Sequence, residues 1–194
     1  MTDVTRIAAW NVNSIKVRLP QVLRWLESQE KAQTPIDALC LQELKLTDDK
    51  YPHAEFEAAG YISLAAGQKT YNGVAILLRR AALASIAADS ETAFLKAVRN
   101  IPGFEDEQQR TLAATVCFKG KQPMRLISAY FPNGQSPDSD KFQYKLAWLK
   151  ALQGWLQTEL SSHPGLALLG DFNIAPEDRD VHEPAQWVGK YLVS

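Results

Sequence analysis

The sequence lacks the charge excess and the long apolar runs that would attach a whole protein to nucleic acid or to a membrane. Its 21 lysines and arginines are balanced by 22 acidic residues, which leaves a net charge of −1. Any binding of a polyanion therefore needs a local basic patch. The N-terminus has no apolar signal segment, and no apolar run approaches the length of a membrane span. We expect a cytoplasmic protein with no membrane partner.

Cysteine and histidine are also scarce. Cys40 and Cys117 both lie in apolar runs, which is typical of small buried side chains rather than of a disulfide. We expect both thiols to be free, as in a reducing compartment. None of the three histidines, His53, His163 and His182, ends a buried apolar run, so we expect them to be solvated or structural.

The 194 residues, 46% of them hydrophobic, suffice for one domain with a substantial core. No repeat or linker divides them, so we expect a single domain over residues 1–194. The apolar patterns predict a strand–helix–strand–helix order, then a run of strands, then helix–strand. This order, together with strands that are continuously apolar, predicts sheets covered by helices, an α/β sandwich.

Individual elements follow from the same patterns. The first helix is predicted over Leu19–Lys31, with Pro20 tolerated in its first turn, and the longest over Ser139–Leu160. The dipeptide Asn72-Gly73 is a strong turn signal and predicts a hairpin between its flanking strands. Strands are predicted over 6–10, 36–41, 61–66, 74–78, 111–118, 124–131 and 166–169.

Four of the predicted strands end in polar residues that a core would not select. Alone, each such residue has an ordinary explanation: an Asn forms a turn, a Glu is solvated, a Gly-Asp pair is a common turn. These explanations weaken when four strands of one chain end in this way, because strand ends brought together in space are where sites are built. The residues concerned are Asn11 and Asn13, Gln42 and Glu43, Tyr130 to Gly134, and Asp171 and Asn173.

Phosphodiester hydrolysis is the chemistry that uses such a set. Glu43 offers a hard carboxylate oxygen to a divalent cation, and Asp171 can orient or deprotonate an attacking water. Asn173 and Asn11 can donate hydrogen bonds to phosphate oxygens or to the catalytic carboxylate. Tyr130 can donate to the developing charge, or act as a phenolate if a metal lowers its pKa. Asp171 and Asn173 alternate on an extended chain, so they project to the same side.

Five motifs occur in order over residues 10–176, and together they resemble the exonuclease III family of abasic-site (AP) endonucleases. That family belongs to the endonuclease/exonuclease/phosphatase, or DNase I-like, superfamily. The resemblance implies a four-layer α/β sandwich with Mg²⁺ or Mn²⁺ at one end of two facing sheets. The motifs are Trp10-Asn11-Val12-Asn13-Ser14, Leu41-Gln42-Glu43-Leu44-Lys45, Asn72-Gly73-Val74-Ala75-Ile76, Ala129-Tyr130-Phe131-Pro132-Asn133-Gly134 and Gly170-Asp171-Phe172-Asn173-Ile174-Ala175-Pro176.

The resemblance also implies an activity and residue roles. A member of this family cleaves double-stranded DNA 5′ to abasic sites and trims 3′ ends, and we expect it to be a monomer when complete. Carried over by position, Tyr130, Asp171 and Asn173 are catalytic residues. The metal residues are Asn11 and Glu43, together with Asp171 and Asn173.

Four residues are expected to face DNA by the same resemblance: Arg110, Asn133, Lys45 and Asn72. An alternative for Arg110 and Lys45 is that they are ordinary solvated cations. Contacts of this kind to phosphates position a substrate without reading its sequence. A modest basic patch is completed by Lys16, Arg18, Lys141 and Lys145.

The sequence departs from the family after Gly170-Asp171-Phe172-Asn173. Family members continue with further strands, an aromatic loop, a second Asp and a terminal Ser-Asp-His, none of which is present here. We therefore expect a C-terminally truncated member with an incomplete second sheet, weakly active or inactive alone. Two alternatives are a non-catalytic fragment that binds only DNA or metal, and a superfamily phosphatase acting on a non-nucleic substrate.

Overall fold

The computed structural model describes residues 4–84 and 90–186, and within them the strands form two four-stranded sheets. The strands of the first sheet lie in the order β1-β2-β4-β3, and those of the second in the order β5-β6-β7-β8. The first sheet contains β1 (Ile7–Asn11), β2 (Ala38–Gln42), β3 (Tyr61–Ala66) and β4 (Val74–Arg79). The second contains β5 (Leu95–Arg99), β6 (Thr111–Val116), β7 (Met124–Tyr130) and β8 (Leu166–Asp171).

Helices α1 (Ile15–Lys31) and α2 (His53–Ala58) cover the outer face of the first sheet, and α4 (Asp140–Ser162) covers that of the second. The short α3 (Ser90–Ala93) contributes Ala93 to the cluster between the sheets. Short 3₁₀ turns lie at Asp48–Lys50, Arg80–Ala82, Asp178–Asp180 and Pro184–Gln186. No helix in the described ranges is both long enough and apolar enough to cross a membrane.

Three apolar clusters join the layers. Between the sheets, residues such as Cys40 and Ile76 of the first sheet pack with Leu112 of the second. On the outer face of the first sheet, Val22 of α1 and Phe56 of α2 lie in one cluster with β2 and β4. On the outer face of the second, Trp148, Leu152 and Trp155 of α4 pack with β6 and β7. The predicted four-layer α/β sandwich is confirmed.

The first helix begins four residues earlier than predicted, so the placement of Pro20 in its first turn is wrong. Asn13 and Ser14 adopt positive φ angles of 43° and 85°, and the Ser14 carbonyl then accepts the Arg18 N–H at 3.1 Å. Burial of Ile15, which is 0% exposed, stabilises this early start. Pro20 therefore lies inside the helix, where its missing N–H leaves one intrahelical bond unmade.

Other local predictions are confirmed. Strands β3 and β4 pair antiparallel, with Ala66 opposite Val74, and Asn72 and Gly73 both adopt positive φ. A Cβ on Gly73 would lie 3.0 Å from the Leu44 Cβ, which explains the glycine. Strand β6 pairs antiparallel with β7, and both cysteines are free.

Strand β5 was missed by the sequence patterns. It is an edge strand with mostly exposed side chains, and its register with β6 shifts between Leu95 and Val98. An exposed, irregular edge strand has no clear alternation of apolar and polar residues, so periodicity does not detect it.

Candidate active site

The topology brings four strand ends together at one end of the sandwich. Strands β1 and β2 are parallel and pair Asn11 with Gln42, and strands β7 and β8 are parallel and pair Tyr130 with Asp171. Parallel strands end at the same edge of a sheet, and β1 and β8 lie next to each other across the two sheets. The polar residues that follow these strands therefore lie together at one end of the sandwich.

Asn11 links the two candidate catalytic carboxylates. Its Nδ2 donates to Glu43 Oε1 at 2.7 Å and to Asp171 Oδ2 at 2.8 Å, so one amide bonds to a carboxylate from each side of the sandwich. Its Oδ1 accepts the Asn13 backbone N–H at 3.0 Å, which fixes the orientation of the amide. Two carboxylates at this separation repel each other, and the shared donor offsets part of that repulsion.

Glu43 lies just after β2 in a left-handed conformation, with φ of 55°. Its Oε2 is 2.9 Å from Lys45 Nζ, which also donates to Asn13 Oδ1 at 2.5 Å. Burial alone would raise the pKa of Glu43, but hydrogen bonds from Asn11, Lys45 and Tyr130 outweigh it and hold that pKa below its ordinary value. The Glu43 carboxylate is therefore charged at neutral pH.

Asp171 and Asn173 form a tight turn after β8. The Asn173 N–H donates to Asp171 Oδ1 at 3.1 Å, and Asn173 Nδ2 donates to the Phe131 carbonyl at 3.0 Å. Asn173 is left-handed, with φ of 45°. The preceding Gly170 cannot be replaced, because a Cβ there would lie 1.8 Å from the Ala129 carbonyl oxygen.

Tyr130 donates a hydrogen bond to Glu43. Burial raises the pKa of Tyr130 well above its ordinary value, and the negative charge of Glu43 raises it further. The side chain is thus a neutral phenol that can donate a hydrogen bond. Its action as a phenolate beside a bound metal stays a prediction.

Arg110 is not a solvated cation, so that alternative is wrong. The residue is 8% exposed, and its guanidinium lies over the Tyr130 ring, 5.2 Å from the centroid. It donates to the Tyr130 carbonyl at 3.2 Å, to Tyr144 Oη at 3.2 Å and to Gln108 Oε1 at 2.6 Å. Tyr144 in turn donates to Asp106 at 2.6 Å. The contacts of Arg110 with Tyr130 and Tyr144 join segments that are far apart in the chain, so sequence spacing gave no indication of them.

The other residues expected to face DNA differ in accessibility. Asn133 is exposed, whereas Lys45 is half-buried against Glu43. The expectation that Asn72 faces outward is wrong: it is 6% exposed, and its amide donates to Gln68 at 2.9 Å and to Gln108 at 3.2 Å. The chain reverses at Asn72 toward the loop before β6, which turns the side chain inward.

An open cleft of about 430 Å³ lies beside these groups and is lined by Asn11, Gln42, Asp171 and Asn173, among others. Gln42 is 1% exposed and donates to Ser128 Oγ at 3.2 Å. In the described part of the chain, Gln42 Oε1 has no hydrogen-bond partner. A buried acceptor without a partner in the lining of a cleft can accept a hydrogen bond from a water molecule or a ligand in that cleft. The sequence placed Gln42 at a strand end but assigned it no role.

The donor set suits a hard divalent cation. Among the described residues no group of three or more His, Cys, Asp and Glu could hold a metal ion, but the Glu43 and Asp171 carboxylates lie on either side of one amide. Mg²⁺ binds through one or two carboxylates and keeps its remaining positions for water and phosphate oxygens. Asn11 presents its amide nitrogen to the carboxylates, so direct ligation by Asn11 stays a prediction, as it does for Asn173.

Comparisons with known proteins agree with this geometry. A model of the endonuclease/exonuclease/phosphatase family matches residues 8–189. The 3′ phosphatase NExo from Neisseria, solved with a product DNA hairpin, is 41% identical with a TM-score of 0.82, covering 98% of this chain and 66% of that one. An AP endonuclease from Archaeoglobus fulgidus is 31% identical with a TM-score of 0.82, covering 98% and 66%.

Exodeoxyribonuclease III from Haemophilus influenzae is 28% identical over 181 residues, which are 91% of this chain and 60% of that protein. The chain thus spans from 60% to 66% of the length of these relatives. Since the family model covers nearly the whole chain and the strand-end residues meet as that resemblance implied, the chain belongs to the endonuclease/exonuclease/phosphatase family, in its exonuclease III and AP endonuclease group.

Proposed function

We propose that this protein is a metal-dependent DNA-repair phosphodiesterase that cleaves duplex DNA 5′ to abasic sites and processes 3′ ends. The observation that carries the proposal is the amide of Asn11, which donates to Glu43 at 2.7 Å and to Asp171 at 2.8 Å. It sets two carboxylates beside one cleft, with Tyr130 bonded to the first and Asn173 to the second. We further propose that the protein acts as a monomer in the cytoplasm.

Each of these residues has a separate role in the proposed hydrolysis. A divalent cation, Mg²⁺ or Mn²⁺, held by Glu43 and Asp171, would neutralise charge on the scissile phosphate. As the attacking water bonds to phosphorus, the bond from phosphorus to the leaving ester oxygen breaks. The Asp171 carboxylate accepts the proton of that water, solvent protonates the leaving oxygen, and the second N–H of the Asn173 amide donates to a phosphate oxygen. Tyr130, as a neutral phenol, donates to the same charge as it develops. The Asn11 amide holds the two carboxylates in position during the reaction.

The relatives support DNA as the substrate class. The Neisseria relative is described as a 3′ phosphatase and binds a product DNA hairpin, and the Archaeoglobus relative is described as an AP endonuclease. The exposed Asn133 is available to meet the DNA backbone, whereas the buried Arg110 supports Tyr130 from behind. Both 3′-end processing and abasic-site cleavage are hydrolyses of a phosphate ester, so one cleft can serve both.

The test compares cleavage of three substrates by the purified chain in Mg²⁺. The substrates are a duplex with a synthetic abasic site, a duplex with a 3′-phosphate end, and an inositol phosphate. We expect activity on one or both DNA substrates. Asp171→Asn and Glu43→Gln should each lose about 10²–10⁴-fold of it, whereas Glu55→Gln, the same change at an exposed position of α2, should not.

Three results would contradict the proposal. If both site variants keep wild-type activity, these carboxylates do not perform the reaction. If the inositol phosphate is hydrolysed and neither DNA substrate is, the protein is a superfamily phosphatase with a different substrate. Binding of DNA without any hydrolysis would identify a non-catalytic protein.

A further inference from the structure

Lys145 is a buried cation to which the proposed reaction gives no role. It lies on α4 and is 3% exposed, although the neighbouring Leu146 on the same helix is 46% exposed. Removing an ammonium group from water disfavours folding unless strong acceptors replace the lost hydration. The position of the ammonium group therefore calls for an explanation from its contacts.

The Lys145 ammonium reaches the turn that holds the catalytic pair. Its Nζ donates to the Asn173 carbonyl at 2.8 Å. The N–H of the same residue, Asn173, donates to Asp171 Oδ1 at 3.1 Å. Two hydrogen bonds thus connect a helix side chain to a candidate catalytic carboxylate through a single residue.

The turn is held from two sides. Asn173 has a φ of 45°, in the left-handed region that asparagine adopts more readily than most side-chain-bearing residues. The turn is held on one side by Phe131, the residue that follows β7, whose carbonyl accepts from Asn173 Nδ2 at 3.0 Å. On the other side it is held by Lys145.

Helix α4 is a rigid support for that second contact. Trp148, one turn along from Lys145, is 1% exposed, and its ring lies 4.9 Å from the ring of Phe131. The Phe131 ring in turn lies 4.8 Å from that of Phe172, between Asp171 and Asn173. The helix, the end of β7 and the turn therefore form one packed unit, and groups on packed elements hold a site more precisely than groups on loops.

We propose that Lys145 is a positioning residue for the phosphodiesterase reaction. Its ammonium group fixes the Asn173 peptide so that the side chains of Asp171 and Asn173 stay aimed into the cleft. This inference rests on the proposed function for its effect on rate, but the positioning itself can be measured without substrate.

The kinetic arm uses Lys145→Met and Lys145→Gln, which remove the ammonium with different polarity and length. Lys150→Met is the matched control, since Lys150 is exposed on the same helix. We expect kcat on the preferred DNA substrate to fall about 10–100-fold in both Lys145 variants, as for other residues that orient a catalytic ligand. The KM should change less than about threefold, because phosphate contacts elsewhere bind the DNA. The control should match wild type.

The structural arm measures hydrogen exchange of the Asn173 amide by NMR in the full chain without DNA. We expect exchange at least about tenfold faster in each folded Lys145 variant, with the amides of Leu126 and Ile127 in β7 unchanged. General loosening of the fold would instead speed exchange in β7 as well, and that result would overturn the proposal.

The two arms separate failure of this inference from failure of the proposed function. If wild type hydrolyses DNA and the Lys145 variants keep its kcat, the positioning role is refuted while the function stands. If wild type hydrolyses no DNA, the function is refuted, and the exchange of the Asn173 amide decides the positioning role. Unchanged exchange at Asn173 in a folded variant refutes that role in either case.

Discussion

Replacing Asn11 with alanine removes the amide that bonds to both candidate catalytic carboxylates. The substitution deletes the hydrogen bonds to Glu43 at 2.7 Å and to Asp171 at 2.8 Å and leaves the two charges facing each other. We expect the variant to fold but to be less stable than wild type when no divalent cation is present. Mg²⁺ should reduce the difference, since a cation between the carboxylates replaces the lost donor.

The magnitude follows from the two bonds to the carboxylates and their exposure, because water replaces the third, exposed bond from the Asn13 N–H. A hydrogen bond to a charged acceptor contributes about 1.5–3 kcal/mol. The Glu43 side chain keeps 18% of its exposure and the cleft is open, so water restores part of the loss. We take about half of the sum, or about 2 kcal/mol. For a chain of this size that corresponds to a fall in Tm of about 4–8 °C.

The assay is thermal unfolding followed by circular dichroism, in EDTA and in millimolar Mg²⁺. Asn133→Ala is the matched control, because Asn133 is an exposed asparagine at the same end of the sandwich. It should unfold within about 1 °C of wild type, as surface changes do. The reasoning is refuted if Asn11→Ala is as stable as wild type in EDTA, or if Mg²⁺ widens the difference between them.

Three further predictions concern other parts of the chain. Lys45→Met should raise Mg²⁺ affinity by about 3- to 10-fold in calorimetry, because the ammonium 2.9 Å from Glu43 opposes a second cation; weaker binding would contradict this. Burial raises the pKa of Cys40 to about 12, so at pH 8 its thiol should resist a disulfide reagent until denaturant is added; rapid labelling of native Cys40 would show that the site opens. Phe56→Ala should lose about 3–5 kcal/mol in urea unfolding, since Phe56 is 0% exposed; a loss below about 1 kcal/mol would mean that the core refills the cavity.

Much of the fold was predictable because its elements have strong local signals. The continuous apolar run over 36–41 predicted a buried strand, and all residues of β2 are buried. Ser139 accepts the Phe142 N–H at 3.2 Å, the N-cap contact that Ser promotes at a helix start. The start of α1 was not predictable in this way, because it depends on positive φ at Asn13 and Ser14 and on burial of Ile15 against distant residues.

The candidate site was predictable in its residue types and not in its contacts. Motif order and strand ends selected Asn11, Glu43, Tyr130 and Asp171, and all four belong to one hydrogen-bonded cluster. Spacing along the chain gave no indication that Arg110 stacks on Tyr130, because that contact joins residues far apart in sequence. For the same reason the sequence assigned Lys145 only to a surface patch, whereas the structure buries it.

The sequence by itself determined the family, the layered fold class and the residues that follow each strand. These depend on local patterns of apolar and polar residues and on motifs within a few positions of each other. Tertiary structure alone decided which atoms meet: that one amide donates to carboxylates 32 and 160 residues away, and that Lys145 supports Asn173 across 28 residues. Such contacts arise only when two sheets and a helix pack, since packing fixes distances that chain separation does not.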